Sequence, residues 1–548
     1  NTLLISPTYG MTDIKGIPGL LSLSGWFPIA NLLLLNDLPT LINYARPEYT
    51  PQSNIGIVTS QGDTSIRSVI ARSAFNLSGE GVKIGVLSDS YNKKFGNPAN
   101  DDILKGDLPG IGFDPNGNPV PNPVNTTNVE VLKDYPFSAS DEGRAMLQII
   151  HDVAPKANLA FRTGFLNPVD FAQGIIELRD AGCDVIVDDI TYISEPFFYD
   201  GVVSAAVNDV KNSGVSFFTA AGNYGEKSYQ STFAASPAPP GISGEAHNLA
   251  YGTGNDIYQS ISVPEGNYTL VLQWDDGSLP GASSTDMDIY LSKDDGSTLF
   301  GFNSVNTGGD PVEVLPFTVG PGGAQTNILI VKASGLENVE MKYIVFRGDL
   351  TINEYSSEVG STIIGHANAE GAMSVGAVLY KNTPAYGIVT PTIASFSSRG
   401  GMITNNTDRM KPDFAGPNGV NTTVDFGSLN LEGDPFPYFF GTSAAAPHLA
   451  AVAALLIEAT NKFYNSGLNP DAMRQIMQST ALDMNSPGYD VFSGYGLVQA
   501  DAALLSLANP SPVISQLIYD TTLVPGQDSV EVTLLGKYLS GYSEIYFN

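Results

Sequence analysis

Short apolar runs alternate with helical segments between residues 82 and 223, and this alternation restricts the fold more than any other feature. The runs VKIGVLS, ANLAF, CDVIVDDI and VSFFTAA have the length and composition of strands that are buried on both faces. Helical apolar spacing occupies the segments between them. The order β-α-β-α-β predicts an α/β domain with a doubly wound parallel sheet and right-handed crossovers.

The pattern changes at residue 231, where helical periodicity gives way to short alternating stretches separated by Gly, Pro and Asp turns. That spacing favours an antiparallel β-sandwich. The α/β pattern returns near residue 351, so we interpret the sandwich as an insertion. The predicted segments are a small βαβ piece with a linker (1–58), the first part of the α/β domain (59–230), the insertion (231–350), the second part (351–507) and the beginning of an immunoglobulin-like module (508–548).

Composition excludes several classes of partner. The chain has 548 residues, a net charge of −30 and only 26 basic residues, which argues against nucleic acid or an anionic membrane as a partner. No run of 18 or more apolar residues is present, so we expect no integral membrane segment. The single cysteine, Cys183, rules out an intrachain disulfide. This balance suits an extracellular or cell-surface protein.

The segment GTSAAAPHLAA, residues 441–451, is the strongest chemical signal in the chain. A Gly-Thr-Ser turn opens a nearly all-apolar helix, and Pro447 is expected in its first turn. Ser443 would then lie at the helix N-terminus, where free backbone N–H groups and the positive end of the dipole stabilise a developing oxyanion. The alternative is that Ser443 simply caps the helix.

Three other polar residues occupy positions where a site is expected. Asp89 and Asn223 each follow a predicted strand, and ligand sites of α/β sheets gather at the carboxyl ends of strands. Glu142 leads the apolar stripe of the helix DEGRAMLQIIHDVAP, four residues before Met146. A carboxylate at the head of a buried face requires a functional or structural partner.

Several ordered motifs resemble the subtilisin-like serine proteases. GTSAAAPHLAA is similar to the family's serine motif, GEGVKIGVLSDS to its aspartate strand and TAAGN to its oxyanion segment; ASFSSRGG, KPDFAGPNGV and VAPKANLAF resemble further family blocks. The resemblance spans residues 59–507 without the insertion. It implies a subtilisin-like α/β fold, with Ser443 as nucleophile, Asp89 as the triad acid and Asn223 as oxyanion donor. It also implies a polypeptide substrate and no required cofactor, and residues 1–58 resemble the end of a propeptide.

The chain departs from this family at the histidine, because Glu142-Gly143-Arg144 stands where members have His-Gly-Thr. None of the four histidines is expected to replace it. His151 lies nine residues after Glu142 and points to the opposite side of the helix. The other three are expected to be structural: His448 in the serine helix, His366 in a loop and His247 in the insertion.

A Ser-Glu-Asp set resembles the sedolisins, which are acid-acting relatives with the same fold. The match is partial, because sedolisins place a second acid where this chain has Met146 and an oxyanion Asp where it has Asn223. We expect Glu142 and Asp89 to share one proton, so that the singly ionised pair accepts the serine proton. This predicts a serine endopeptidase with an acidic pH optimum.

A catalytically silent module is the alternative. In that interpretation Glu142 marks a lost base, and the domain acts as a surface structural or adhesion unit. The propeptide-like segment and the immunoglobulin-like region, which suits partners on a surface or a fibre, favour it.

Two acidic groups outside this set are ambiguous. Asp275, Asp276, Asp286 and Asp288 lie close together in the insertion, where structural calcium and solvated turn acids are both compatible with the sequence. Asp188 and Asp189 end a predicted strand near the cleft, where they either line a subsite or cap the next loop.

Overall fold

The computed structural model describes residues 60–508 with short gaps at 251–253, 278–280, 294–296, 357–359, 402, 405–406 and 428–430. It also describes parts of residues 3–53 and the two strands Val513–Tyr519 and Val532–Lys537.

A seven-stranded parallel sheet forms the centre of the α/β domain. Its strands run in the spatial order β7-β6-β5-β4-β1-β3-β2, so the chain changes direction across the sheet between β1 and β4. Such a switch point opens a crevice at the carboxyl ends of the two strands. In chain order the strands are β1 Lys83–Ser88, β2 Glu130–Lys133, β3 Asn158–Thr163, β4 Val185–Asp188, β5 Ser216–Ala220, β6 Ala372–Leu379 and β7 Phe414–Asn418.

Helices cover both faces of this sheet and enclose two apolar cores. One core lies under α1 and α4, which pack against each other, and the other lies under α2 and α3. The main helices are α1 Glu142–Val153, α2 Pro168–Asp180, α3 Val202–Asn212, α4 Thr442–Tyr464, α5 Pro470–Thr480 and α6 Ala500–Leu505. Shorter ones are Gly62–Ser65, Ser68–Phe75 and Pro98–Lys105, with 3-10 turns at Gly365–Asn368, Tyr380–Asn382 and Pro384–Tyr386.

Helix α4 is long and apolar enough to cross a membrane by length and hydropathy alone. The most apolar part of it is entirely buried inside the protein, from the turn before Ser443 to the middle of the helix. Because its side chains contact the sheet and α1, its apolar character is that of a core helix.

Residues 228–352 form two antiparallel sheets with a shared apolar core. Side chains from alternate positions of both sheets, such as Leu270 and Met341 on one and Ile289 and Ile330 on the other, fill the space between them. The first sheet contains, in spatial order, Ser228–Thr232, Glu340–Arg347, Gly266–Asp275 and Val312–Val319. The second contains Ala235–Pro237, Glu245–His247, Ala324–Ser334, Gln259–Val263 and Thr351–Ile352, with Asp286–Ser292 and Thr298–Phe302 attached to it.

Several local elements differ from the sequence-based expectations. Residues 96–123 are rich in Pro, Asn and Gly, a composition that predicts a loop, but they contain the helix Pro98–Lys105 and the hairpin of Ile111–Phe113 with Pro119–Pro121. Of the βαβ piece expected in residues 1–58, the structure describes the first strand, Leu23–Trp26, which pairs antiparallel with Thr12–Gly16. Most of the expected helix and third strand lies outside the described residues.

The remaining short strands are peripheral hairpins and pairs. They are Gln52–Ser53 with Ile190–Thr191, Ile403–Thr404 with Thr407–Asp408, and Val420–Asn421 with Tyr438–Phe439. Val513–Tyr519 pairs antiparallel with Val532–Lys537. The rest of the expected immunoglobulin-like region lies outside the described residues, so that assignment stays a prediction.

Candidate active site

The carboxyl ends of β1, β4 and β5 bring the candidate residues together. Asp188 at the end of β4 is opposite Leu87 on β1 and opposite Thr219 on β5. Asp89, Asp189 and Asn223 follow these three adjacent strands, which are about 4.8 Å apart. Residues separated by more than 130 positions along the chain therefore follow adjacent strands at one edge of the sheet.

Asp89 binds the N-terminus of α1 through backbone groups. Its Oδ2 accepts hydrogen bonds from Ser140 N at 2.7 Å and Ser140 Oγ at 2.6 Å, and its Oδ1 accepts one from Glu142 N at 2.9 Å. Ser90 N also donates to Oδ1. Burial raises the pKa of Asp89 above its ordinary value, although these hydrogen bonds oppose the shift. Asp89 thus positions the helix that carries Glu142.

The first turn of α1 is tightly constrained. Asp141 has a left-handed backbone (φ 61°), a conformation that costs a non-glycine residue about 1–2 kcal/mol. Its carboxylate accepts hydrogen bonds from Lys93 N at 2.5 Å and Ser90 Oγ at 3.1 Å, and Arg144 Nη2 lies 3.1 Å away. At Gly143 a Cβ atom would lie 2.3 Å from the Phe161 ring, so only glycine fits there.

Glu142 is fully buried, and its carboxyl group lies close enough to that of Asp189 to interact with it. This partner differs from the expected one, because Glu142 contacts Asp89 through its amide. Asp189 is also fully buried. Burial, together with the nearby Glu142 carboxyl group, raises the pKa of Asp189 well above its ordinary value. The sequence indicated an acid at this strand end but not its partner.

Ser443 is buried in the first turn of α4, directly after a turn held by Asn223. Asn223 Oδ1 accepts hydrogen bonds from Thr442 N and Thr442 Oγ1, both at 3.0 Å. Thr442 Oγ1 in turn accepts one from Gly222 N at 3.1 Å. Because Oδ1 is bound in this way, the Nδ2 side of the Asn223 amide is turned away from Thr442.

Pro447 was expected in the first turn of α4, and that expectation is wrong. The helix begins at Thr442, so Pro447 lies in the second turn. Proline lacks the N–H that would bind the carbonyl of Ser443 four residues earlier. The helix tolerates the missing hydrogen bond because packing of its side chains in the apolar core stabilises it.

Three of the four histidines, His151, His247 and His448, are buried. Burial lowers the pKa of His151, His247 and His448 to about 4. His448 Nδ1 lies 2.6 Å from the carbonyl oxygen of Ala444 in its own helix. His247 Nε2 lies 2.8 Å from the Tyr229 hydroxyl in the insertion.

His366 is the centre of a buried ion cluster. Its Nε2 lies 2.9 Å from Asp188 Oδ1 and its Nδ1 lies 2.9 Å from Glu195 Oε1. Burial alone would lower the pKa of His366, but the charges of Glu195 and Asp188 outweigh it and raise the pKa to about 10. Asp188 also accepts a hydrogen bond from Ile190 N at 3.0 Å. The cluster therefore anchors the segment that follows β4 on both sides of Asp189.

An extended segment of the chain is paired with the strand edge beside the site. Ser53 is opposite Ile190 and Gln52 is opposite Thr191 in an antiparallel pair. Ile190 directly follows Asp189, so a backbone strand is docked next to the buried acids.

Metal binding finds no support in the described ranges: no group of three or more His, Cys, Asp or Glu in them is placed to hold an ion. Asp276 in the insertion accepts hydrogen bonds from Ser284 N at 2.7 Å and Thr285 N at 2.9 Å, as a turn acid does. Structural calcium there stays a prediction.

Comparisons with curated proteins find proteases. The chain is 44% identical over 72 residues to fervidolysin of Fervidobacterium pennivorans, covering 13% of this chain and 10% of that protein. It is 32% identical over 156 residues to the CO(2)-response secreted protease of Arabidopsis thaliana, covering 27% of this chain and 19% of that protein. The matches thus span a fifth or less of these relatives.

Solved structures of proteases are similar at low identity. The Clostridium perfringens CspB protease aligns with a TM-score of 0.44 and 16% identity, covering 82% of this chain and 98% of that one. Fervidolysin aligns with a TM-score of 0.38 and 15% identity, covering 90% of this chain and 58% of that one.

The family model for the subtilase family matches residues 302–496. This range contains Ser443 and the whole of α4 but not Asp89, Glu142 or Asn223. The part of the chain that carries the serine, residues 302–496, is therefore similar to the subtilase family.

Proposed function

We propose that this chain is a serine endopeptidase in which Glu142 takes the place of the usual histidine base. The observation that carries the proposal is the convergence of strand ends: Asp89 holds the helix of Glu142, and Asn223 holds the turn before Ser443. The subtilase match over residues 302–496 supports a peptide hydrolase. Proteases among its relatives, one of them named as secreted, support an extracellular or surface location.

In the proposed reaction, Ser443 attacks the peptide carbonyl while Glu142 accepts its proton and then passes that proton to the leaving amine. Asn223 Nδ2 and backbone N–H groups at the start of α4 stabilise the oxyanion, an effect of about 3 kcal/mol per donor. Since a free glutamate has a pKa of ~4.3, the base suits an acidic optimum.

The paired strand at residues 52–53 supports a polypeptide substrate. An extended peptide that adds to an exposed strand edge gains affinity from main-chain hydrogen bonds. Gln52–Ser53 demonstrates that the edge at Ile190–Thr191 accepts a strand in the antiparallel direction. A substrate bound in the same way would run alongside Asp189 and towards Ser443.

A silent subtilase-fold module is the second candidate, because Ser443 and Glu142 are fully buried and the strand edge is already occupied. A fluorophosphonate probe separates the two, since it labels only an activated serine. We expect labelling of wild type between about pH 4 and 7 and none of Ser443→Ala. No labelling and no casein cleavage at any pH, with activity gained by Glu142→His, would establish the silent module.

A further inference from the structure

We propose that Asp189 is the positioning partner of the base, holding one proton against the Glu142 carboxylate and orienting that carboxylate towards Ser443. The inference rests on the proposed function and adds a residue to the site. It starts from two observations: Asp89 is bound to the backbone N–H groups of Ser140 and Glu142, whereas the fully buried carboxyl group of Glu142 lies close to that of Asp189, which is also fully buried.

The geometry of the sheet places Asp189 for this role. Asp188 is in register with Leu87 on one side and Thr219 on the other, so Asp189 follows the strand between those of Asp89 and Asn223. Glu142 is attached to the β1 end through its amide, and Ser443 is attached to the β5 end through Thr442. Asp189 therefore lies between the points that hold the base and the nucleophile.

Two adjacent carboxyl groups that are both fully buried resist both being ionised, so the pair carries one proton. The acids that act on Asp189 are Glu142 from α1 and Asp89, which follows β1. The cation of this region, His366, is bound by Asp188 and Glu195 instead. Burial and the nearby Glu142 carboxyl group raise the pKa of Asp189, which supports our placing of the shared proton on Asp189.

With this pair, every proton of the acylation step is accounted for. In the resting site the pair is a monoanion, with the Asp189 proton bound to one Glu142 oxygen. When Ser443 attacks, its proton moves to Glu142 and the pair becomes neutral. Glu142 transfers that proton to the leaving amine, and the monoanion returns. At low pH a second proton neutralises the Glu142 carboxylate, which then no longer accepts the serine proton. At high pH the shared proton is lost, and Asp189 no longer holds Glu142 in place.

Kinetic tests compare Asp189→Asn with Asp189→Ala. The asparagine amide donates the same hydrogen bond but does not titrate, so we expect kcat within about tenfold of wild type and loss of the alkaline limb of the pH profile. Alanine leaves Glu142 unoriented, and we expect kcat to fall by about 100-fold with little change in KM. Equal losses in both variants, with the wild-type pH profile kept, would overturn the positioning role.

A spectroscopic test does not depend on activity. Infrared spectra at neutral pH are expected to contain the C=O stretch of a neutral carboxylic acid that Asp189→Asn removes. Glu313→Gln is the matched control: Glu313 is a buried acid of the insertion whose pKa burial raises to about 8, so its loss calibrates the signal of one acid.

The two tests separate the two proposals. If Asp189→Asn removes no such signal, the proton-sharing pair is overturned, whatever the activity. If the signal is removed while wild type labels with fluorophosphonate at no pH, the pair exists and the protease proposal fails.

Discussion

Residue 142 contacts two acids through two different groups. Its amide donates to Asp89 Oδ1 at 2.9 Å, as any residue at that position of the helix would, while its carboxyl group lies close to that of Asp189. The backbone contact depends only on where residue 142 lies in the helix, whereas the side-chain contact depends on the carboxyl group. Substitutions at this residue therefore separate folding from catalysis.

Replacement of Glu142 by glutamine tests the base alone. The amide retains the size of the side chain and the backbone bond to Asp89, but it does not accept a proton. We expect kcat/KM on a fluorogenic peptide to fall by about 10²–10⁴-fold. The melting temperature should stay within a few degrees of wild type, and Ser443→Ala serves as the inactive reference. Full activity of Glu142→Gln would refute the assigned role.

At the level of elements, the ion cluster of His366 connects β4, the segment after it and the 3-10 turn Gly365–Asn368. All three charged groups are buried, so the cluster depends on full pairing. The folded pKa of His366, about 10, lies above its unfolded value of ~6.5. The stabilisation from this histidine is thus complete below pH ~6.5 and is lost as the pH rises through about 10.

This linkage predicts a pH-dependent stability. Between about pH 7 and 10 the free energy of unfolding should decrease by up to about 1.4 kcal/mol per pH unit from His366. In His366→Gln that contribution disappears, at the cost of a lower stability at pH 7. His151→Gln is the control, since burial already keeps His151 neutral in this range. Chemical denaturation at each pH measures the slopes, and parallel slopes for wild type and His366→Gln would count against the ionised cluster.

The strand Gln52–Ser53 makes a second prediction at this level. The double substitution Gln52→Pro with Ser53→Pro removes whichever backbone N–H faces Ile190–Thr191, because only one of two consecutive strand residues points its N–H at a given neighbour. Loss of that hydrogen bond, worth about 1 kcal/mol, should expose the edge and accelerate fluorophosphonate labelling of Ser443 by about fivefold. The matched control replaces both residues with alanine, which keeps the N–H groups, and its labelling rate should equal that of wild type.

On the scale of the whole molecule, the insertion is packed against the segments that follow the site strands. Phe346 of the insertion contacts Tyr224, the neighbour of Asn223, with ring centroids 4.8 Å apart. Gln273 Nε2 donates to the Glu195 carbonyl at 2.9 Å, and its Oε1 accepts from Phe197 N at 2.9 Å. The insertion therefore supports the backbone next to the His366 cluster.

Gln273→Leu tests this support. The change leaves a buried N–H and a buried carbonyl without partners, which costs about 1–3 kcal/mol for each group. We expect a lower melting temperature and faster amide hydrogen exchange over residues 193–199. Gln325→Leu, which changes an exposed glutamine of the same insertion, should alter stability by less than about 0.5 kcal/mol. Equal effects of the two substitutions would show that the contact is unimportant.

Local sequence patterns were sufficient for much of the fold. The buried strands, the helices between them and the acid at the end of β1 follow from apolar runs and periodicity, because each is decided within about ten residues. The edge strand Glu130–Lys133 and β7, Phe414–Asn418, were missed. The first is largely exposed and the second contains Pro417, so neither has the pattern of a buried strand.

The sequence by itself determined which chemical groups stand at the strand ends: a serine at the start of an apolar helix, an asparagine, and a glutamate in place of histidine. Only the tertiary structure decided how they are paired, with Asp89 on the α1 backbone and Asp189 on the Glu142 carboxyl group. Composition and spacing place a side chain on an element. Its partner depends on strand order and register, which bring β4 between β1 and β5 through contacts distant in the chain.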